Sequence, residues 1–242
     1  MFYLPLKVDK KFFENRGILD PENSYLLKKD GPGETPERKR KGCLPEHNPF
    51  DDLKCFPFKE KSNKHCDSED VKKVLDIEVL LANAALEAMT ATFSGALGDG
   101  QNYLLYGETC YTKAHVYSWD LDYGFKPNRK DYSIYGCDHH GGQTVFQQYF
   151  FKNQEFLDNY NNKVGTVVAT GSGKILEKAV NYLSHLDEGS PLKTLLDADP
   201  NFNDEYSFGS LITYLMERSK LISDDQLKAP NPMCVDPEMT TA

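Results

Sequence analysis

The chain has 242 residues, enough for one domain with a sizeable core. With 39 % hydrophobic and 12 % aromatic residues it is not a disordered chain. A net charge of −9 excludes a phosphate-tracking basic face, so no nucleic-acid partner is expected.

In chain order, residues 1–70 are polar. They carry two short apolar patches, Phe2–Leu6 and Tyr25–Leu27, punctuated by Pro and Gly. The basic run Arg38–Lys41 follows Gly31-Pro32-Gly33 and reads as a solvated loop. The opening residues lack an apolar stretch of signal-peptide length, and no run is long enough to span a membrane. Six cysteines occur at positions 43, 55, 66, 110, 137 and 234 without any Cys-x-x-Cys spacing, which argues against a zinc site. Their even number points to disulfides and an oxidising compartment. A bond such as Cys55–Cys66 would staple the weakly cored N-terminal part.

The spacing of Val74, Ile77, Leu81, Ala84, Ala85 and Ala88 predicts one helix over 68–91, started by Asp67 and Asp70. Gly95, Gly98 and Gly100 then force a loop. Two strand-like runs, Asn102–Tyr106 and Ala114–Trp119, predict a hairpin that ends in Asp120-Leu121-Asp122. The remainder reads as helices over 143–151, 155–168, 174–186 and 208–222, with a short piece over 191–196. The prolines at 230, 232 and 237 mark a frayed tail.

This order brings an amide oxygen at Asn102 and a carboxylate at Asp120 to the same end of a hairpin. Both are hard ligands suited to Mg²⁺. Phosphoryl transfer by protein kinases uses a catalytic-loop Asp, a following Asn and a second Asp beyond a hairpin. On spacing alone, a solvated acidic turn is the commoner explanation of Asp120-x-Asp122. Two other patterns are set aside. Gly171-Ser-Gly-Lys174 lacks the upstream Gly and the Ser/Thr of a phosphate-binding loop, and reads as a helix start capped by Ser172. Asp138-His139-His140 are adjacent on a loop with no third metal ligand in register.

Gly100-Gln-Asn-Tyr-Leu-Leu-Tyr106 followed by Val116-Tyr-Ser-Trp-Asp-Leu-Asp-Tyr-Gly-Phe125 resembles the CotH family of atypical kinases. The helix Leu75–Met89, the segment Asn153–Asp158 and Glu217-Arg-Ser-Lys220 are similar too, and the resemblance spans roughly residues 50–228. It implies an α+β, mostly helical fold: a kinase-like C-terminal lobe with a central hairpin and a degenerate or truncated N-terminal lobe. The implied organisation is a polar remnant or partial lobe over 1–49, a kinase-like domain over 50–228 and a disordered tail over 229–242. By the same resemblance Asn102 and Asp120 hold the metal, with Asp122 as a further ligand. The implied cofactors are Mg²⁺ or Mn²⁺ with ATP, and the implied partner is a protein substrate or a surface protein. The implied location is secreted or cell-surface. Where the family carries Trp-Asp-Gly, this chain reads Phe93-Ser94-Gly95. Ser94 therefore occupies the catalytic Asp position, and a hydroxyl cannot take the substrate proton as a carboxylate does. Asp99, in the same loop, is the alternative base. The resemblance thus implies a degenerate phosphotransferase or, alternatively, an inactive binding module of adhesin or spore-coat type.

Overall fold

The computed structural model describes residues 24–31, 37–40, 68–96, 98–108, 112–120, 124–139, 144, 145, 147, 150–171, 174, 208–228 and 234. Within them the architecture is α+β. Strands β1 (Tyr25–Lys29), β2 (Glu37–Arg40), β3 (Tyr103–Gly107) and β4 (His115–Ser118) form one antiparallel sheet in the order β2-β1-β3-β4. Helices α1 (Ser68–Val74), α2 (Ile77–Thr90), α3 (Gln154–Thr166) and α4 (Phe208–Leu221) contribute the helical part of the core.

The single helix expected over 68–91 is two helices. Leu75 leaves the helical path and bridges Ala114: Ala114 N–H donates to the Val74 carbonyl and Asp76 N–H to the Ala114 carbonyl. The Asp76 carboxylate then caps α2 by accepting from Val79 N at 3.1 Å. The apolar periodicity runs through the break because Val71 and Leu75 are buried on the same side as Leu80 and Leu81. Helix α2 ends at Ala91, whose N–H still reaches the Glu87 and Ala88 carbonyls and whose φ of 50° turns the Thr92 N–H back onto the Glu87 carbonyl at 3.0 Å.

The hairpin expected from the sequence is β3–β4, in register Tyr103↔Ser118 through Tyr106↔His115. Its outer edge is covered by α2: Asn83 Nδ2 donates to the Val116 carbonyl at 2.6 Å and Asn83 Oδ1 accepts from Ser118 N. On the other side, β1 pairs with β3 from Tyr25↔Gly107 to Lys29↔Tyr103. The polar N-terminal part therefore supplies two strands to the same sheet as the hairpin.

One face of the sheet, with Tyr25, Leu27, Tyr103, Leu105 and Val116, packs on α2, α3 and α4 through Leu81, Ala85, Phe156, Tyr160 and Leu215. The other face gathers Leu26, Leu104 and Tyr106 with Tyr117 and Trp119. Helices α3 and α4 continue into single π turns, Val167–Gly171 and Ile222–Gln226. Residues 175–186 and 191–196 of two expected helices, and residues 143, 146, 148 and 149 of the one expected over 143–151, lie outside the described residues. Cys234, in the expected tail, is disulfide-bonded to Cys137 across 97 residues. The cysteines at 43, 55, 66 and 110, and so any Cys55–Cys66 bond, lie outside the described residues. Among the described residues no helix is long and apolar enough to cross a membrane.

Candidate active site

The loop between α2 and β3 is folded on itself by backbone bonds. Asp99 N–H donates to the Phe93 carbonyl at 2.8 Å and Gln101 N–H to the Gly95 carbonyl at 3.2 Å. Two glycines permit this. A Cβ on Gly98 would stand 1.7 Å from the Phe93 carbonyl oxygen, and one on Gly95 would stand 2.1 Å from Glu87 Oε1. The Glu87 carboxylate, fully buried on α2, explains the second contact. It accepts from Ser118 Oγ at 2.6 Å and from Gly98 N at 3.2 Å. A single anion thus ties the loop to the last residue of β4.

Beyond β4 the chain remains attached to the loop's exit. Trp119 N–H donates to the Asn102 carbonyl at 2.9 Å, so Asp120 starts one residue past the point where Asn102 enters β3. Asn102 and Asp120 both adopt the left-handed conformation, with φ of 48° and 58°. Asn and Asp tolerate that region better than other side chains outside Gly. Asp120 is exposed and Asn102 half-buried, which leaves the carboxylate accessible at the open end of the hairpin.

Ser94 is half-buried, and its Oγ lies 3.2 Å from Thr92 Oγ1. Asp99 is 9 % exposed. Its Oδ1 lies 2.6 Å from His139 Nε2 and its Oδ2 accepts from Gln101 Nε2 at 3.0 Å. Asp122 lies outside the described residues. Asp138, weighed and set aside as a metal ligand together with His139, accepts from Ser133 N within its own turn.

The sequence did not single out the end of β1. Asn102 N–H donates to the Asp30 carbonyl, and Trp119 Nε1 donates to the Lys29 carbonyl. Lys28 Nζ pairs with Asp30 at 2.5 Å and stands 3.9 Å over the Trp119 ring. A cation and a carboxylate thus border the Asn102–Trp119 junction. The available signal was the apolar run Tyr25–Leu27 passing directly into Lys28-Lys29-Asp30, a strand with a charged end.

Behind the site, α4 carries Arg218, fully buried. Its Nη2 donates to the Ala88 carbonyl at 2.7 Å, and its Nη1 donates to the carbonyls of Lys130, at 2.7 Å, and Tyr132. Burial pulls its guanidinium below its usual value. The residue holds the end of α2 against the segment that follows the acidic turn.

Among the described residues no three His, Cys, Asp or Glu side chains gather as a metal cluster. Asn102 and Asp120 are oxygen donors of the kind Mg²⁺ or Mn²⁺ takes when phosphates and waters complete its shell, so the donor types fit a phosphate-bound ion. No curated protein matches the chain. The family model described as CotH kinase protein matches residues 7–217, a span that starts well before residue 50 and takes in the strands β1 and β2. The chain therefore belongs to the CotH kinase family.

Proposed function

We propose that the chain binds ATP with Mg²⁺ or Mn²⁺ at the open end of the hairpin and transfers phosphate slowly to Ser or Thr hydroxyls of a protein. The observation that carries this reading is the bond from Trp119 N to the Asn102 carbonyl, which makes Asn102 and Asp120 neighbours across the hairpin. A bound divalent ion would neutralise charge on the transferring phosphate. Asn102 and Asp120 would hold it, with Asp122 as a further ligand. Glu87 keeps the loop and the end of β4 in one geometry. The slow rate follows from Ser94, whose hydroxyl cannot accept the acceptor's proton. The Cys137–Cys234 disulfide supports a secreted or cell-surface location.

Ser94 also favours a second reading, an inactive surface module that binds a protein partner. A ligand of the native state raises the melting temperature in proportion to its occupancy. Millimolar ATP with MgCl2 or MnCl2 is expected to raise the melting temperature of the parent and not that of Asp120→Ala. No shift in the parent with either metal would favour the binding module.

A further inference from the structure

We propose that His139 is the positioning residue for Asp99, and that Asp99, held in this way, is the carboxylate through which the remaining phosphotransfer runs. The inference rests on the phosphotransfer reading above.

Asp99 sits three residues before Asn102, in the loop that delivers the chain to the proposed metal site. Its backbone is fixed by the bond to the Phe93 carbonyl, and Gly100, at φ 65°, turns the chain directly after it. The side chains of Asp99 and His139 are only 11 % and 14 % exposed. One carboxylate oxygen faces His139 Nε2 and the other accepts from Gln101 Nε2. Two directional contacts set both the rotamer and the plane of the group.

His139 arrives on a turn that has anchors of its own outside the loop as well as a contact with it. Its own N–H donates to the Gly136 carbonyl and its ring lies 5.7 Å from that of Phe93. Upstream, Ile134 N donates to Gln226 Oε1, Tyr160 Oη donates to the Ile134 carbonyl, and Cys137 is bonded to Cys234. The histidine thus transmits the rigidity of the helical core to a loop carboxylate. Holding a base within a few tenths of an ångström is what separates an effective general base from an incidental one.

In the step, the acceptor oxygen bonds to the γ-phosphorus of ATP as its proton passes to an Asp99 carboxylate oxygen. The bond from that phosphorus to the β,γ-bridging oxygen breaks, and ADP leaves with the electron pair. Asp99 then returns the proton to solvent.

The test uses the full chain, radiolabelled ATP with MnCl2, and dephosphorylated casein as acceptor. The parent is expected to transfer phosphate above an Asp120→Ala control. Asp99→Asn should fall to that control, within the roughly 10²- to 10⁴-fold range of a lost general base. His139→Phe should lower kcat about tenfold while KM for ATP stays within about twofold, as a loss confined to the transition state does. His139→Gln, which keeps an N–H donor, should recover most of that loss. Asp99→Asn with His139→Phe should be no slower than Asp99→Asn alone. A His139→Phe variant that keeps the parent kcat would overturn the proposal. So would one whose loss appears only in KM or in melting temperature, or a parent no faster than the control. If His139→Phe does not fold, Asp99→Asn and His139→Gln decide. ATP-dependent thermal stabilisation of the parent separates the two claims: stabilisation without transfer sinks this inference alone, and its absence removes the phosphotransfer reading beneath it.

Discussion

Arg218 and Asp99 are both charged side chains buried near the same loop, yet they are satisfied in opposite ways. Arg218 donates to the backbone carbonyls of Ala88, Lys130 and Tyr132. The Asp99 carboxylate meets the side chains of His139 and Gln101. A cation bonded to backbone is a fixture of the frame, because no side-chain change nearby can release it. An anion held by side chains sits on a position that can be retuned one residue at a time. Burial of charge therefore does not mark a site by itself. What sets Asp99 apart is its place in the loop three residues before Asn102.

The largest expected effect falls on the loop side of this comparison. In an Asp99→Asn background, where no loop carboxylate is left to take the acceptor's proton, Ser94→Asp is expected to raise phosphate transfer by about 10²- to 10⁴-fold, the usual worth of a general base. Adding Asp120→Ala should remove the gain, because the metal ligand is lost. Radiolabel transfer to casein reads both. If Ser94→Asp binds ATP and gains nothing, position 94 is not where the base acts.

On the frame side, Arg218→Met should unfold the chain more easily without any specific effect on chemistry. Three carbonyls, that of Ala88 buried and those of Lys130 and Tyr132 half-buried, would lose their donor, and about 3–5 kcal/mol of stability should go with them. Urea denaturation measures this. A loss under 1 kcal/mol would mean that water or another donor takes the carbonyls. An activity loss in a variant of unchanged stability would erase the distinction between the two charges.

These two residues also show what the sequence could and could not disclose. The hairpin was legible because β3 and β4 carry apolar runs bounded by Gly107 and Asp120, and α4 because Leu211, Ile212 and Leu215 recur at helical spacing. The fracture between α1 and α2 was not. Leu75 continues the apolar stripe, and only its bridge to Ala114, almost 40 residues on, takes it out of the helix. Strand β1 was hidden for a similar reason. Five residues with a doubly basic end resemble a loop until β3 supplies their hydrogen bonds. At the site, Asn102, Asp120 and Asp99 stood in readable motifs. His139 stood in a cluster weighed only for metal binding, because nothing local in a sequence says that position 139 meets position 99.

Glu87 lies between the two cases, a buried anion that holds both the loop and β4. Glu87→Gln should cost about 1–3 kcal/mol. Ser118 Oγ and Gly98 N both donate to the carboxylate, and an amide presents only one acceptor, so both bonds lose their charge assistance and Ser118 Oγ must turn from donor to acceptor to meet the NH2. Gly95→Ala should be comparably harmful, since its Cβ would press on Glu87 and Ser118 Oγ. Equal stability of Glu87→Gln and the parent would show that the carboxylate is not the tie between loop and strand.

The smallest expected difference concerns two tyrosines near the Arg218 frame. Tyr135 Oη donates to Asn161 at 3.0 Å, whereas the buried Tyr214 hydroxyl has no hydrogen-bond partner among the described residues. Tyr135→Phe should therefore cost about 1 kcal/mol. Tyr214→Phe should be neutral or slightly stabilising at pH 8, because it removes a polar group that was desolvated without compensation. The alkaline limb separates them further. Burial pushes the Tyr25, Tyr135 and Tyr214 phenols up to about 12. The unfolded chain ionises them near the usual value of about 10, while the folded chain still holds them protonated. Their contribution to stability is therefore complete below pH 10 and is lost as the pH rises from 10 to about 12. Tyr214→Phe should flatten that decline while leaving the pH 8 value in place, as urea midpoints and tyrosinate absorbance would show. A cost above 1 kcal/mol at pH 8 would mean that the Tyr214 hydroxyl has a partner, and the contrast with Tyr135 would collapse.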